Sequence, residues 1–218
     1  MNGNSSDEDI AGTSLSGKYA MKRYIAWWPL LLGPLAMVGV YIAGLAGRLE
    51  YVSKPIHERM APWLLLIPLV GFALRAAVAR KEFYLFMAVF SAVLFCREWH
   101  FTGTGPGVYV GLGLLAFWAV RRKDHLWVWV AGSPLRIWLG SVLATYALSQ
   151  LIARRFFRHL GLPYEDEFHI ALEETVETAG HLMMIVVLLL AWRLIPRSAK
   201  TVGQCAIAAG KEVEGIAD

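Results

Sequence analysis

The sequence predicts an all-α, polytopic membrane protein, a bundle of about six transmembrane helices. Of its 218 residues, 57% are hydrophobic and only 17% are charged, whereas soluble domains carry about a quarter charged residues. The apolar residues are also gathered into long runs, and a helix needs about 20 of them to cross roughly 30 Å of hydrocarbon. These two observations exclude a soluble globule, a disordered chain and a fibrous repeat.

A polar tail precedes the first span. Residues 1–24 begin with a stretch rich in Ser, Gly, Asn and acidic residues, and such a segment buries too little apolar surface to fold. We therefore expect a disordered cytoplasmic tail. Ile25–Gly47 follows it, and this apolar stretch of about 23 residues exceeds the roughly 7 to 15 of a cleavable signal peptide. We expect it to remain as the first transmembrane helix.

Further apolar runs complete the predicted membrane domain, which extends over residues 25–197. The runs lie at Pro62–Ala79, Phe83–Trp99, Val108–Val120, Arg136–Ala153 and Thr178–Ile195. Leu126–Gly132 is also apolar but ends at Ser133-Pro134, so an interfacial segment and a crossing both remain open there. Residues 198–218 are expected to form a second cytoplasmic tail.

Basic residues set the expected orientation, because cytoplasmic loops normally hold the excess of Lys and Arg. With the N-terminus inside, eleven basic residues fall on the inner side: Lys18, Lys22, Arg23, Arg80, Lys81, Arg121, Arg122, Lys123, Arg136, Arg197 and Lys200. Seven fall on the outer side: Arg48, Lys54, Arg59, Arg97, Arg154, Arg155 and Arg158. We therefore expect both termini in the cytoplasm. The compact size and short loops favour a bacterial inner membrane.

Small and basic residues within the spans have structural interpretations. Gly39, Ala43 and Gly47 recur every fourth position, as do Gly107 and Gly111, and this spacing is typical of closely packed helices. Arg75 lies near the inner end of the second span, where a long basic side chain is expected to extend to the membrane interface.

Glutamates and histidines gather on the outer side in this topology. The densest segment is Pro163–His181, which continues into the last span. Four of its residues step round a helix by only about 40° each, at roughly 100° per residue: His169, Glu173, Glu177 and His181. Apolar residues take the opposite side: Leu172, Val176 and Met183. The last helix is therefore expected to be polar along one stripe as it enters the bilayer.

This Glu and His mixture predicts a metal site. An ionisable group at membrane depth is costly unless it faces a cavity, a partner or a metal, and the third span ends at the same level in Arg97-Glu98-Trp99-His100. The predicted catalytic residues are Glu98, Glu173 and Glu177, and the predicted metal ligands are His100, His169 and His181. Imidazole and carboxylate ligands suit Zn or Mn.

The function that follows is a metal-dependent hydrolase or transferase. Water bound to the metal would attack a lipid-type substrate, with a free glutamate as general base. Arg97 is the predicted substrate-binding residue, because guanidinium groups bind anionic headgroups.

Other interpretations of the same residues remain open. The glutamates of the last helix can form a solvated face, His100 and His181 can ligate haem, and Cys96 can serve as a thiol nucleophile. The Glu173-Glu174 pair is similar to the glutamate pair of intramembrane CAAX-type proteases. However, Thr178 stands where that family has Arg, and the His-x-x-x-Asn element is absent, so membership is not predicted.

Two noncatalytic functions are the alternatives to an enzyme. One is a subunit of an envelope assembly, in which the acidic helix binds a membrane-protein partner. The other is a small proton-coupled transporter, in which intramembrane carboxylates and histidines relay protons. Membrane lipids are expected partners of the chain in either case. Nucleic acid is not, because the basic residues are scattered over loops without a recognition motif.

Overall fold

The computed structural model describes residues 27–52, 54–99, 104–131, 133–161 and 163–195, and this part of the chain is helical without a strand. Its helices are α1 (Leu32–Leu45), α2 (Lys54–Ala79), α3 (Glu82–Glu98), α4 (Thr104–Arg121), α5 (Lys123–Val130), α6 (Leu135–Ala153), α7 (Phe156–His159) and α8 (Glu165–Leu194). Short 3-10 turns, Trp28–Leu31 and Leu49–Val52, precede α1 and α2. The predicted tails, residues 1–24 and 198–218, lie outside the described residues.

Four helical segments are long and apolar enough to cross a membrane. They are Trp28–Leu45, Pro55–Ala79, Leu135–Ala153 and Asp166–Leu194. Large apolar side chains on these segments are more than half exposed, among them Ile42, Val78 and Leu189. Because water-exposed surfaces of soluble proteins rarely carry such continuous apolar area, these helices indicate an integral membrane protein.

The prediction of six spans is met only in part. α3 has 17 residues and is therefore about 26 Å long at 1.5 Å per residue. The apolar part of α4, Gly105–Arg121, is also a short helix. Both fall below the length of the four candidate spans, so the structure supports four rather than six.

α2 begins earlier than the sequence predicts. The predicted second span begins at Pro62, but α2 starts at Lys54 and continues through Pro62 and Pro68. Proline removes a backbone donor and usually marks a helix boundary, yet helices in membranes tolerate it because neighbouring groups satisfy the freed carbonyls. His57, expected in a loop, therefore lies on the first turns of a helix.

The helix within the apolar segment Leu126–Gly132 is too short to cross a membrane. Its helix, α5, has eight residues and spans about 12 Å, far below the roughly 30 Å of hydrocarbon. Leu126 and Val130 are its buried residues.

The chain divides into two compact units. The first comprises Met1–Ala61 and Gly132–Met184, and the second Pro62–Ala131 and Ile185–Asp218. α2 and α8 each contribute residues to both.

An apolar cluster forms the core of the first unit. Its buried members come from α1, α6 and α8: Val40, Ile152, Phe168, Leu172 and Val176. The side of α8 that was expected to oppose the polar stripe thus packs into the protein core. Glu177 and His181 are buried as well, so at this level α8 is enclosed on both its apolar and its polar side.

The glycines predicted to allow close packing are confirmed only at Gly111, where a Cβ atom would lie 3.0 Å from Cγ2 of Val93; one at Gly39, Gly47 or Gly107 would meet nothing within 4 Å. In the first unit a still closer approach occurs at Gly44, where a Cβ atom would lie 2.6 Å from Cζ of Phe168. Glycine therefore lets α1 lie directly against the Phe168 ring of α8.

The second unit encloses Arg75, which was expected to reach the interface. Arg75 is only 3% exposed, and its Nη2 donates hydrogen bonds to the carbonyls of Trp192 (3.1 Å) and Ile195 (3.2 Å). The last carbonyls of a helix lack partners within the helix, and a cation there complements the helix dipole. Capping of α8 therefore keeps the guanidinium inside the protein.

Aromatic rings complete the surroundings of Arg75. Its Cζ lies 5.3 Å from the ring centre of Tyr84 and 5.2 Å from that of Trp192, within the range of cation–π attraction. The Tyr84 hydroxyl donates to the carbonyl of Ala191 at 3.0 Å. The end of α8 is therefore bound by both α2 and α3.

Candidate functional site

The polar stripe of α8 places two ionisable side chains inside the first unit. His181 is 0% exposed and Glu177 is 8% exposed, although both belong to the candidate span Asp166–Leu194. A carboxylate oxygen of Glu177 and a ring nitrogen of His181 lie within 4.8 Å of each other. A carboxylate and an imidazole thus converge at a depth where ionisable side chains mark functional sites.

The backbone of α8 determines which nitrogen of His181 carries the proton. Nδ1 of His181 lies 2.6 Å from the carbonyl oxygen of Glu177, and a carbonyl oxygen can only accept a hydrogen bond. Nδ1 is therefore the protonated nitrogen, and Nε2 carries the lone pair. Metal-binding histidines commonly have this arrangement, with the other ring nitrogen donating to a backbone carbonyl.

Tyr146 of α6 packs on His181. Its hydroxyl lies 3.3 Å from Nδ1 of His181, and the two ring centres are 5.8 Å apart. Gly180 makes this approach possible, because a Cβ atom there would lie 3.1 Å from Cζ of Tyr146. The imidazole ring is therefore held from two sides, by its own helix and by α6.

A stripe of hydroxyl groups on α6 faces this part of the structure. Ser141, Thr145 and Ser149 recur every fourth residue, and all three are buried. Ser141 donates to the carbonyl of Ile137 at 2.8 Å, and Thr145 lies 3.6 Å from the sulfur of Met183. This stripe was not predicted from the sequence, although its four-residue spacing within an apolar span was the available signal.

Ser149 differs from the other two members of the stripe in its hydrogen bonding. Its Oγ is buried and has no hydrogen-bond partner in the part of the chain that the structure describes. Along α6, Ser149 lies between Tyr146, which contacts His181, and Ile152, which packs with Val176. Ser149 is therefore level with the turn of α8 that carries Glu177.

His57 of α2 binds another side of α8. Its Nδ1 lies 2.9 Å from Oγ1 of Thr178, and its Nε2 lies 3.5 Å from Oγ1 of Thr175. Two threonine hydroxyls thus position this half-buried imidazole. The first turns of α2 supply it only because the helix begins before Pro62.

The structure does not bring His169 together with His181. The two residues are separated by about 18 Å along α8, at 1.5 Å per residue, so they cannot bind one ion. Nε2 of His169 lies 3.4 Å from Arg155, which forms an ion pair with Asp166 at 2.8 Å. His169 therefore belongs to a charged group at the start of α8. Glu173 is half-buried, one turn before Glu177.

The remaining predicted residues belong to the second unit or are not described. Arg97 and Glu98 end α3, and both are half-buried. His100 lies outside the described residues. Cys96, the alternative thiol nucleophile, is an exposed free cysteine.

Comparison of the chain with protein-family models, with curated proteins and with solved structures finds no match. The chemistry of the site must therefore be argued from its residues. The buried residues Glu177, His181, Tyr146 and Ser149 offer a carboxylate, an imidazole lone pair and two hydroxyls. Such a set can bind a cation, transfer a proton or orient a polar group of a substrate.

Proposed function

We propose that this protein is a metal-dependent membrane enzyme, a hydrolase or transferase, acting on a lipid-type substrate. The observation that carries the proposal is the buried pair of Glu177 and His181. Burying an ionised carboxylate costs several kcal/mol unless it is paired or coordinates a metal. The lone pair on Nε2 of His181 supplies a second ligand of the kind that divalent metals take in proteins.

The third proposed ligand is Glu98, at the end of α3. Glu98 was predicted from the sequence to lie at the same membrane level as the polar stripe of α8, and its carboxylate is a kind of ligand that divalent metals take in proteins. Carboxylate and imidazole ligands suit zinc and manganese, and catalytic zinc sites keep a further position for water. His100, two residues after Glu98, remains the fourth ligand proposed from the sequence.

The chain's own side chains have defined roles in this proposal. A bound metal lowers the pKa of coordinated water and so supplies the nucleophile. Glu173, one turn before Glu177, is the proposed general base. The Oγ of Ser149 is the proposed donor to a polar group of the substrate, and Arg97 the proposed contact to its anionic headgroup. A lipid-type substrate fits because the site residues belong to helices whose outer surfaces are apolar.

We also propose a bacterial inner membrane location with both termini in the cytoplasm. The support is the basic-residue excess on one side of the predicted topology. Four crossings or six both return the C-terminus to the side of the N-terminus. Alkaline phosphatase fused to the C-terminus should therefore be inactive and green fluorescent protein fluorescent, and the reverse result would overturn the orientation.

Metal content is the direct test of the site. The full chain, purified in detergent, equilibrated with Zn or Mn and then desalted, should retain about one ion per chain by elemental analysis. Glu177→Gln and His181→Gln should each lose that ion, because each removes a ligand. Glu167→Gln and His159→Gln are matched controls, since they make the same chemical changes at exposed residues and should retain the ion.

Activity is the second readout. The metal-loaded chain in nanodiscs is incubated with a panel of membrane phospholipids, and cleavage or transfer products are measured by mass spectrometry. Product that depends on the metal and disappears in Glu177→Gln supports the enzyme. A wild-type chain without stoichiometric metal, or a Glu177→Gln variant that retains it, would exclude the metal centre. Proton flux without product would favour the transporter.

A further inference from the structure

A separate pocket opens in the second unit, with a volume of about 630 Å³. Much of its wall is formed by small apolar side chains of α2 and α3: Ala73, Ala76, Ala77, Leu85 and Ala88. Such residues leave a trough between the helices without any hydrogen-bonding group. This part of the pocket therefore suits a hydrocarbon chain.

Charged residues form one end of the same pocket. Arg80 and Lys81, the two residues that link α2 to α3, line it together with Glu82 and Trp118. The Lys81 amine lies 4.0 Å from the ring centre of Trp129, so the charged tip of this long side chain lies on the face of that ring. Arg80 is exposed.

The one carboxylate among the lining residues is already engaged. Oε1 of Glu82 accepts a hydrogen bond from Nε1 of Trp118 at 2.8 Å and lies 3.5 Å from Nε of Arg122. The basic side chains at this end of the pocket, Arg80 and Lys81, thus lie beside a carboxylate that already binds Trp118 and Arg122.

Arg75 is a further cation near this end of the pocket, and it affects Lys81. Burial lowers the pKa of the Lys81 amine below its ordinary value, and the positive charge of Arg75 lowers it further. Lys81 thus experiences repulsion from Arg75 that a bound negative charge would relieve.

We propose that this pocket binds one acidic phospholipid. The phosphate lies between Arg80 and Lys81, and an acyl chain occupies the alanine-lined trough. The apolar wall distinguishes a lipid from free phosphate, because a free ion would leave that wall exposed to water. The site is separate from the Glu177 and His181 pair and does not depend on the proposed function.

Native mass spectrometry of the full chain tests the proposal. The protein is exchanged into detergent containing phosphatidylglycerol, phosphatidylcholine or both, and retained lipids are counted. Wild type should retain one phosphatidylglycerol in preference to phosphatidylcholine. Arg80→Gln with Lys81→Gln should weaken that binding about 30-fold, because each basic residue near the headgroup contributes about 1 kcal/mol and about 1.4 kcal/mol is tenfold. Arg121→Gln with Lys123→Gln removes the same charge elsewhere in the unit and should change little.

A second variant separates the pocket from simple surface attraction. Ala77→Phe fills the trough without changing any charge and should also abolish retention of phosphatidylglycerol. An excess of inorganic phosphate should not displace the lipid. Retention by either the charge variant or Ala77→Phe, or displacement by phosphate, would overturn the proposal. Each variant should elute as wild type does in size-exclusion chromatography, since all of the altered side chains except that of Lys81 are exposed.

Discussion

Replacing Gly44 by Ala tests how closely α1 approaches α8. The new Cβ would lie 2.6 to 2.9 Å from three atoms of the Phe168 ring, too near for an ordinary contact. The ring has little freedom to move, because Tyr164 stacks on it at 5.9 Å between ring centres and Tyr41 meets it edge-on at 5.5 Å. Overpacking of this kind costs about 1–3 kcal/mol.

A matched substitution isolates that steric cost. Gly39→Ala makes the same change in the same helix, but its Cβ meets nothing within 4 Å. Both substitutions gain the roughly 0.5–1 kcal/mol by which Ala is favoured over Gly within a helix. That gain cancels in the comparison, so Gly44→Ala should be less stable than Gly39→Ala by about 1–3 kcal/mol.

Unfolding of the full chain in mixed micelles, followed by far-ultraviolet circular dichroism as the SDS fraction rises, measures both free energies. Adding Phe168→Leu should remove most of the penalty of Gly44→Ala, because contacting residues do not behave additively. Equal stability of the two alanine variants would show that α1 does not pack on the Phe168 ring, and would refute the reasoning.

Three hydroxyl groups, those of Tyr84, Thr178 and Thr175, allow further predictions. Tyr84→Phe should lower the free energy of unfolding by about 1 kcal/mol, because it removes the buried hydrogen bond to the carbonyl of Ala191; Tyr109→Phe, on an exposed tyrosine, should have no effect. Thr178→Val should cost about 1 kcal/mol, and Thr175→Val less than half as much, because 2.9 Å to His57 is a good hydrogen bond and 3.5 Å is at the limit. Both comparisons use the same unfolding measurement. A larger loss for Thr175→Val, or an effect of Tyr109→Phe equal to that of Tyr84→Phe, would contradict the geometry.

Hydropathy predicted the helical class and the positions of the longest helices, because an apolar run of membrane length has few alternatives to a helix. It placed α6 and the end of α8 within a few residues. It failed at the start of α2, where Pro62 resembled a boundary. The reason is physical: proline signals a helix end in water more strongly than within a membrane bundle.

Only the residues that α8 contributes to the candidate site could be predicted from the sequence. The periodicity of α8 put Glu177 and His181 on one stripe, and the structure buries both. Periodicity could not show that Tyr146 of α6 packs against His181, because partners on another helix are decided by tertiary packing. The same holds for Arg75. Its burial follows from hydrogen bonds to the last carbonyls of α8, and the sequence alone does not show that α8 ends beside it.

The hydroxyl stripe of α6 has a consequence for how the protein is made. α6 has a mean hydropathy of 1.3, below the 1.7 to 1.8 of the other three candidate spans. Arg136, Gln150 and the three hydroxyl residues all take positions that apolar residues would otherwise fill. α6 leaves the ribosome before α8 and therefore enters the bilayer ahead of that partner. α1 is already present, and Gly33 lies close enough to Thr145 that a Cβ there would meet Oγ1 at 2.8 Å. Because of this order of synthesis, α1 is the first helix that can pack against the hydroxyl stripe, before α8 is inserted.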